Sequence, residues 1–165
     1  MISLNEIWQA IEGRVVALIH KTEARGCRVI NTGTQTIADS TITALVFNSE
    51  VHDTDGGWAI GSPGYLYARR DGYYVAGGAW SMVHSSSCRM WVAIRVSGST
   101  YVGAGEIRST ANAYSVVHVT TGMFWMSDGD YIQLLGLQDS GGTRTIEATS
   151  LTQQQNMLGW LMRVG

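Results

Sequence analysis

Apolar and polar positions alternate in two distinct rhythms along this chain. From Ser3 to about Lys21, Leu4, Trp8, Ile11, Val15 and Leu18 step by four, three, four and three, the a/d seam of a heptad helix. Ser3 and Glu6 have capping-box spacing at its start, and Gly13 falls at an outer position. So few heptads are marginal alone in water, so the spacing predicts a short bundle of such helices held together by a neighbouring domain. Ile7, Val16 and Ile19 widen the stripe, which keeps a second reading open: an amphipathic helix docked on its own domain.

After "TEARG" the period becomes two and stays so. "CRVINT", "TITALVF", "GYLYA", "GYYVAGGAWSMV", "MWVAIRV", "TYVGAGE", "YSVVHVTTGMFWM", "DYIQLLGL" and "MLGWLMRV" read as strands, rich in β-branched and aromatic residues and bounded by Gly, Ser, Asn and Asp. "VSGST" marks a tight hairpin with Gly98 at its tip, and "SDGD" a second turn. Many short strands with no later helix point to an all-β sandwich or jelly roll. The domains expected are therefore a helix over 1–25, for assembly or attachment, and a β head over 26–165.

Composition narrows the function. The 165 residues carry a net charge of -2, so no basic footprint argues for nucleic acid. Charged residues make up only 15% of the chain, beside six Trp, seven Tyr, 20 Gly and one Pro, which implies a surface partly covered by copies of itself. Cys27 and Cys88 are too few for a disulfide framework or zinc ribbon and are expected to be free thiols. The N-terminal "MISLNEIW" has neither the basic nor the apolar region of a secretory signal, and no apolar run reaches membrane-spanning length, so synthesis in the cytoplasm without membrane insertion is expected.

Several residues together carry a resemblance. They are Gly72-x-Tyr74 opening a long strand, Phe47 within "LVFNSEVHDTDGG", the Gly98 hairpin, Gly129-Asp130 opening "GDYIQLLGL", and the closing "LGWLMRV". In order and spacing, over roughly Cys27 to Val164, the chain resembles the globular head of the C1q and tumour-necrosis-factor superfamily, in the version common in phage and bacterial proteins. The resemblance implies a ten-strand jelly roll assembled as a homotrimer. It also implies that the strand from Gly72 is covered twice. Tyr74, Ala76, Gly78, Trp80 and Met82 would face the sandwich core; Tyr73, Val75 and Gly77 would face a neighbouring subunit, as Leu4, Trp8, Ile11, Val15 and Leu18 would in the helix.

Chemistry-bearing motifs are sparse. "DTDG" places Asp53 and Asp55 like the start of a calcium loop, but the later ligands are missing, so a solvated turn is the first reading and a weak metal site the second. His20, His52, His84 and His118 have no metal-ligand spacing, and Ser85, Ser86 and Ser87 beside His84 lack a nucleophile elbow. Close carboxylate pairs occur only in turns, Asp53 with Asp55 and Asp128 with Asp130, which leaves a glycosidase remote. No catalysis and no cofactor are expected.

The family topology sends "HSSSCR", "EIRSTANA" and "QDSGGTRTIEATSLTQQQN" to the end opposite the termini. These polar loops suit wet recognition of a glycan or protein, with His84, Ser86, Arg89, Arg108, Asn112, Asp139 and Arg144 as candidate contacts. The expected function is that of a phage virion protein: a tail or fibre adhesin whose helix attaches to other virion proteins and whose head binds a host surface receptor or glycan. The alternative is a capsid-decoration or assembly protein without receptor binding.

Overall fold

The computed structural model describes residues 25–146 and 157–164. The heptad positions Leu4, Trp8, Ile11, Val15 and Leu18 therefore lie outside the described residues, as does the second half of the longest polar loop.

Thirteen strands are present among the described residues. In chain order they are β1 (Arg25–Ile30), β2 (Gln35–Ile37), β3 (Thr43–Ala44), β4 (Ser49–Asp53), β5 (Leu66–Tyr67), β6 (Gly72–His84), β7 (Cys88–Val96), β8 (Thr100–Ser109), β9 (Ala113–Thr120), β10 (Phe124–Met126), β11 (Tyr131–Gln138), β12 (Arg144–Ile146) and β13 (Met157–Val164). In the first sheet β6 pairs with β9 and β10 on one side and β13 on the other, followed by β1 and β4. In the second, β11 carries β3 and β5 on one side and β7 then β8 on the other, and β2 pairs with β12 apart from both. The chain passes repeatedly between the two sheets, with the β7–β8 hairpin inside the second and β9 and β10 together in the first, as in a jelly roll.

The count exceeds ten because the period-two runs break where backbone groups find other partners. "YSVVHVTTGMFWM" is two strands on the same neighbour: Thr121 interrupts it, its N–H bonding Ala76 C=O at 2.9 Å and its Oγ1 accepting from Ala76 N–H at 2.9 Å. Of "TITALVF" and "GYLYA" only two residues each pair as strand, while β2, β4 and β12 carry mixed polar sequences that alternation does not single out.

Trp80, Phe47, Leu134, Met82, Met90 and Ile94 fill the space between the sheets with almost no exposure. The small residues of β6 make this packing possible. A Cβ at Gly78 would fall on the Leu134 side chain, which reaches across from the second sheet, so Gly78 gives Leu134 its place. Trp80 carries a polar atom into this layer and satisfies it, Nε1 donating to Trp91 C=O at 3.2 Å.

Register fixes the two ends. Arg25 pairs with Arg163 and Val164 with Tyr73, so both ends of the described chain lie beside the start of β6. His84 pairs with Ala113 at the far end.

Candidate functional site

Three connections meet at that far end: 85–87 between β6 and β7, 110–112 between β8 and β9, and 139–143 between β11 and β12. Buried polar side chains bind them together. His84 follows the inward parity of β6 and is only 2% exposed. Its Nδ1 lies 2.8 Å from Ser86 C=O, so in the neutral ring Nδ1 carries the proton and Nε2 accepts from Ser115 Oγ at 3.0 Å. Ser115 Oγ in turn lies 2.6 Å from Ser109 Oγ. This chain braces β6, β8 and β9. Ser86 Oγ donates to Ser140 C=O at 2.7 Å, and the buried Gln138 holds the next turn through Ser140 N–H and Gly142 C=O.

The candidate contacts therefore separate into two groups. His84 and Ser86 point into the scaffold. Arg89, Arg108 and Asp139 come together around a cleft of about 360 Å³, which Ser87, Cys88 and Ser109 also line. Arg144 is turned inward to Ser140 Oγ at 2.7 Å, and Asn112 sits in the left-handed region at the tip of its loop, φ 58°. Glu106, Ser109, Ser115, Gln138 and Ser140 were not singled out by sequence. Ser115 had a signal, since it shares the parity of the inward Val117 and Val119.

Charge at the cleft is held loosely. Glu106 Oε1 lies 3.6 Å from Arg108 Nε, and Glu106 Oε2 lies 3.8 Å from Arg89 Nη1. Asp139 Oδ2 lies 3.6 Å from Arg89 Nε, while its Oδ1 accepts from Arg89 N–H. The Cys88 thiol is pushed up by burial and then by the Asp139 charge, so it stays protonated and is a poor nucleophile.

Elsewhere the Asp53 carboxylate is committed to its own loop. Oδ1 accepts from Asp55 N–H at 3.2 Å and Gly57 N–H at 2.9 Å, and Oδ2 from Trp58 N–H at 3.0 Å. Asp55 lies 3.7 Å from Arg25. "DTDG" is thus a carboxylate-capped turn, and among the described residues no three His, Cys, Asp or Glu side chains are grouped to hold a metal. Cys27 and Cys88 are both free and buried, in different sheets.

The outward face of the first sheet has the opposite character. Tyr73 is 54% exposed and packs edge-on against Trp125 at 5.3 Å between ring centres. Val83, Tyr114 and Val116 extend the exposed apolar surface along β6 and β9, and half-buried Val75 continues it. Gly77 lies on this face opposite Trp160. A Cβ there would fall inside the Trp160 indole, so this glycine makes room for a ring of its own chain.

No protein-family model matches the chain, and no curated protein matches it in sequence. Solved structures do match in shape. The structure of Eiger TNF from S. frugiperda covers 86% of this chain and 93% of its own, with TM-score 0.56 and 9% identity. Murine APRIL at pH 8.0 covers 86% and 100%, with TM-score 0.60 and 13% identity. The globular domain of the zebrafish complement 1qA protein covers 85% and 95%, with TM-score 0.53 and 12% identity. The fold is the TNF and C1q jelly roll. At such identities the likeness speaks for the fold alone, and function must come from the residues.

Proposed function

We propose that the chain is the head of a homotrimeric phage virion protein, an adhesin that binds a host surface ligand through its distal loops. The observation that carries the trimer is the uncharged outward face of β6 and its neighbours, where Tyr73, Val83, Tyr114, Val116 and Trp125 are exposed in the single chain. A sheet face of this kind exposed to water marks an interaction surface, and closed symmetry is the ordinary way for a chain to cover its own patch. The distal end, opposite the described termini, then projects away from whatever holds the N-terminal segment. The virion setting rests on the sequence resemblance.

Light scattering tests the first half: a molar mass three times that of the chain supports it, and a monomer at micromolar concentration overturns it. Fluorescently labelled protein added to a panel of bacterial cells tests the second, with retention on cells of one surface type expected.

One observation favours a decoration role instead. Several polar groups of the described distal loops are engaged within the chain, through Ser86, Gln138, Ser140 and Arg144. Particles lacking the protein that still adsorb to their host would decide for that reading.

A further inference from the structure

Arg89 and Arg108 stand directly opposite each other across the β7–β8 ladder. Directly opposed residues hold their Cβ atoms about 5 Å apart, where like charges repel. The pairing is a local cost that the three surrounding ion pairs offset only in part. At 3.6–3.8 Å each is too long to be a hydrogen bond, and Arg89 Nε is buried with no hydrogen-bond partner. The two guanidiniums therefore keep N–H donors in hand, and between them lies the half-exposed Glu106 carboxylate, loosely held.

We propose that this cleft binds the carboxylate of an acidic sugar, with Arg89 and Arg108 as the two guanidinium partners and Glu106, beside the cleft, as the internal carboxylate that competes for them. The proposal deepens the adhesin reading and rests on it. Glu106 already places a carboxylate between the two guanidiniums, held loosely at 3.6 and 3.8 Å, so a free carboxylate that reaches hydrogen-bond distance from either fork outcompetes it. Ser87 and Ser109 line the same cleft, whose 360 Å³ lies at the small end of ligand pockets and suits one sugar unit. Trp91 stands opposite Glu106 at the next outward pair along the ladder, half-buried, with its indole edge-on to Tyr101. Two guanidiniums against the carboxylates of Glu106 and Asp139 leave the empty cleft near neutral, so affinity depends on which carboxylate wins.

This competition gives opposite signs for neighbouring substitutions. The probe is a short glucuronate oligosaccharide, titrated calorimetrically into the full-length protein beside its carboxyl-reduced neutral counterpart, inorganic phosphate and a glutamate peptide. The acidic sugar is expected to bind and the neutral one not. Arg108→Ala should weaken binding about tenfold, and Glu106→Gln should strengthen it about threefold by removing the competitor. Raising the salt should weaken it further. Circular dichroism of each variant identifies one that fails to fold. Arg108→Lys then serves as a second variant, retaining the charge while losing the fork, and it too should bind more weakly.

No binding of the oligosaccharide, equal binding of its neutral form, or tighter binding of phosphate or peptide each overturns the acidic-sugar assignment. So does a Glu106→Gln protein that binds more weakly than the parent. Labelled protein on bacterial cells separates the two readings. Retention on cells unaffected by Arg108→Ala leaves the adhesin standing without this subsite. Oligosaccharide binding with no retention on any cell leaves the subsite standing without the adhesin.

Discussion

Along β6 the outward residues Tyr73, Val75, Ala79 and Val83 carry no charge, whereas along β7 the outward Arg89 and Arg95 carry two. Inward, the same strands are alike: Ala76, Trp80 and Met82 on one, Met90, Val92 and Ile94 on the other, all buried. The core asks only for apolar volume from either sheet, so it constrains the inward set and leaves the outward set free. What a strand shows outward then reports what lies beyond it. One face fits a further protein layer, and the other fits water and a polar ligand.

The contrast can be broken from the inside first. Trp80 fills the layer both sheets share, so Trp80→Ala should cost about 3–5 kcal/mol in urea unfolding and disturb both faces together. A loss under about 1 kcal/mol would mean the sheets do not depend on this common core. Next comes the apolar face alone. Glutamates at Tyr73 and Trp125 together should convert the proposed trimer to a monomer by light scattering while leaving a cooperative thermal transition. Unchanged mass would remove this face from assembly.

The two cysteines sharpen the comparison between sheets. Burial first, then the charge of Asp53, pushes the Cys27 thiol up to about 12 from an ordinary value near 9. The unfolded chain loses this proton first, so the contribution is whole below pH 9 and fades as pH rises from 9 towards 12. Melting temperature should fall over that window, and Cys27→Ala should flatten the slope even if its overall stability is lower. An unaltered slope would show that Cys27 is not desolvated. The smallest expected effect is on the Asp53 loop: millimolar calcium should leave the melting temperature unchanged, because the carboxylate already accepts three backbone N–H groups. A rise with calcium would reopen that turn as a cation site.

The sequence determined the period, and with it the all-β class, the inward and outward sets of β6, and the turns at "VSGST" and "SDGD". Each depends on neighbours a few residues apart, where alternation and turn chemistry act locally. It also marked Arg89, Arg108 and Asp139 as loop-end polar residues. Only the tertiary structure decided that they meet. Asp139 reaches Arg89 across a 50-residue separation because β11 lies beside β7. The opposition of the two arginines turns on a bulge. Arg95 pairs with Tyr101 but Ile94 with Gly103, so Val102 is the extra residue; were the register unbulged, with Ile94 facing Val102, Arg89 would face Ile107. A one-residue slip exchanges the two sides of a strand. Alternation is the same on either side of such a slip, so pattern alone is blind to it. The register that places the cleft is settled where Ile94, Val92 and Met90 must stay in the core.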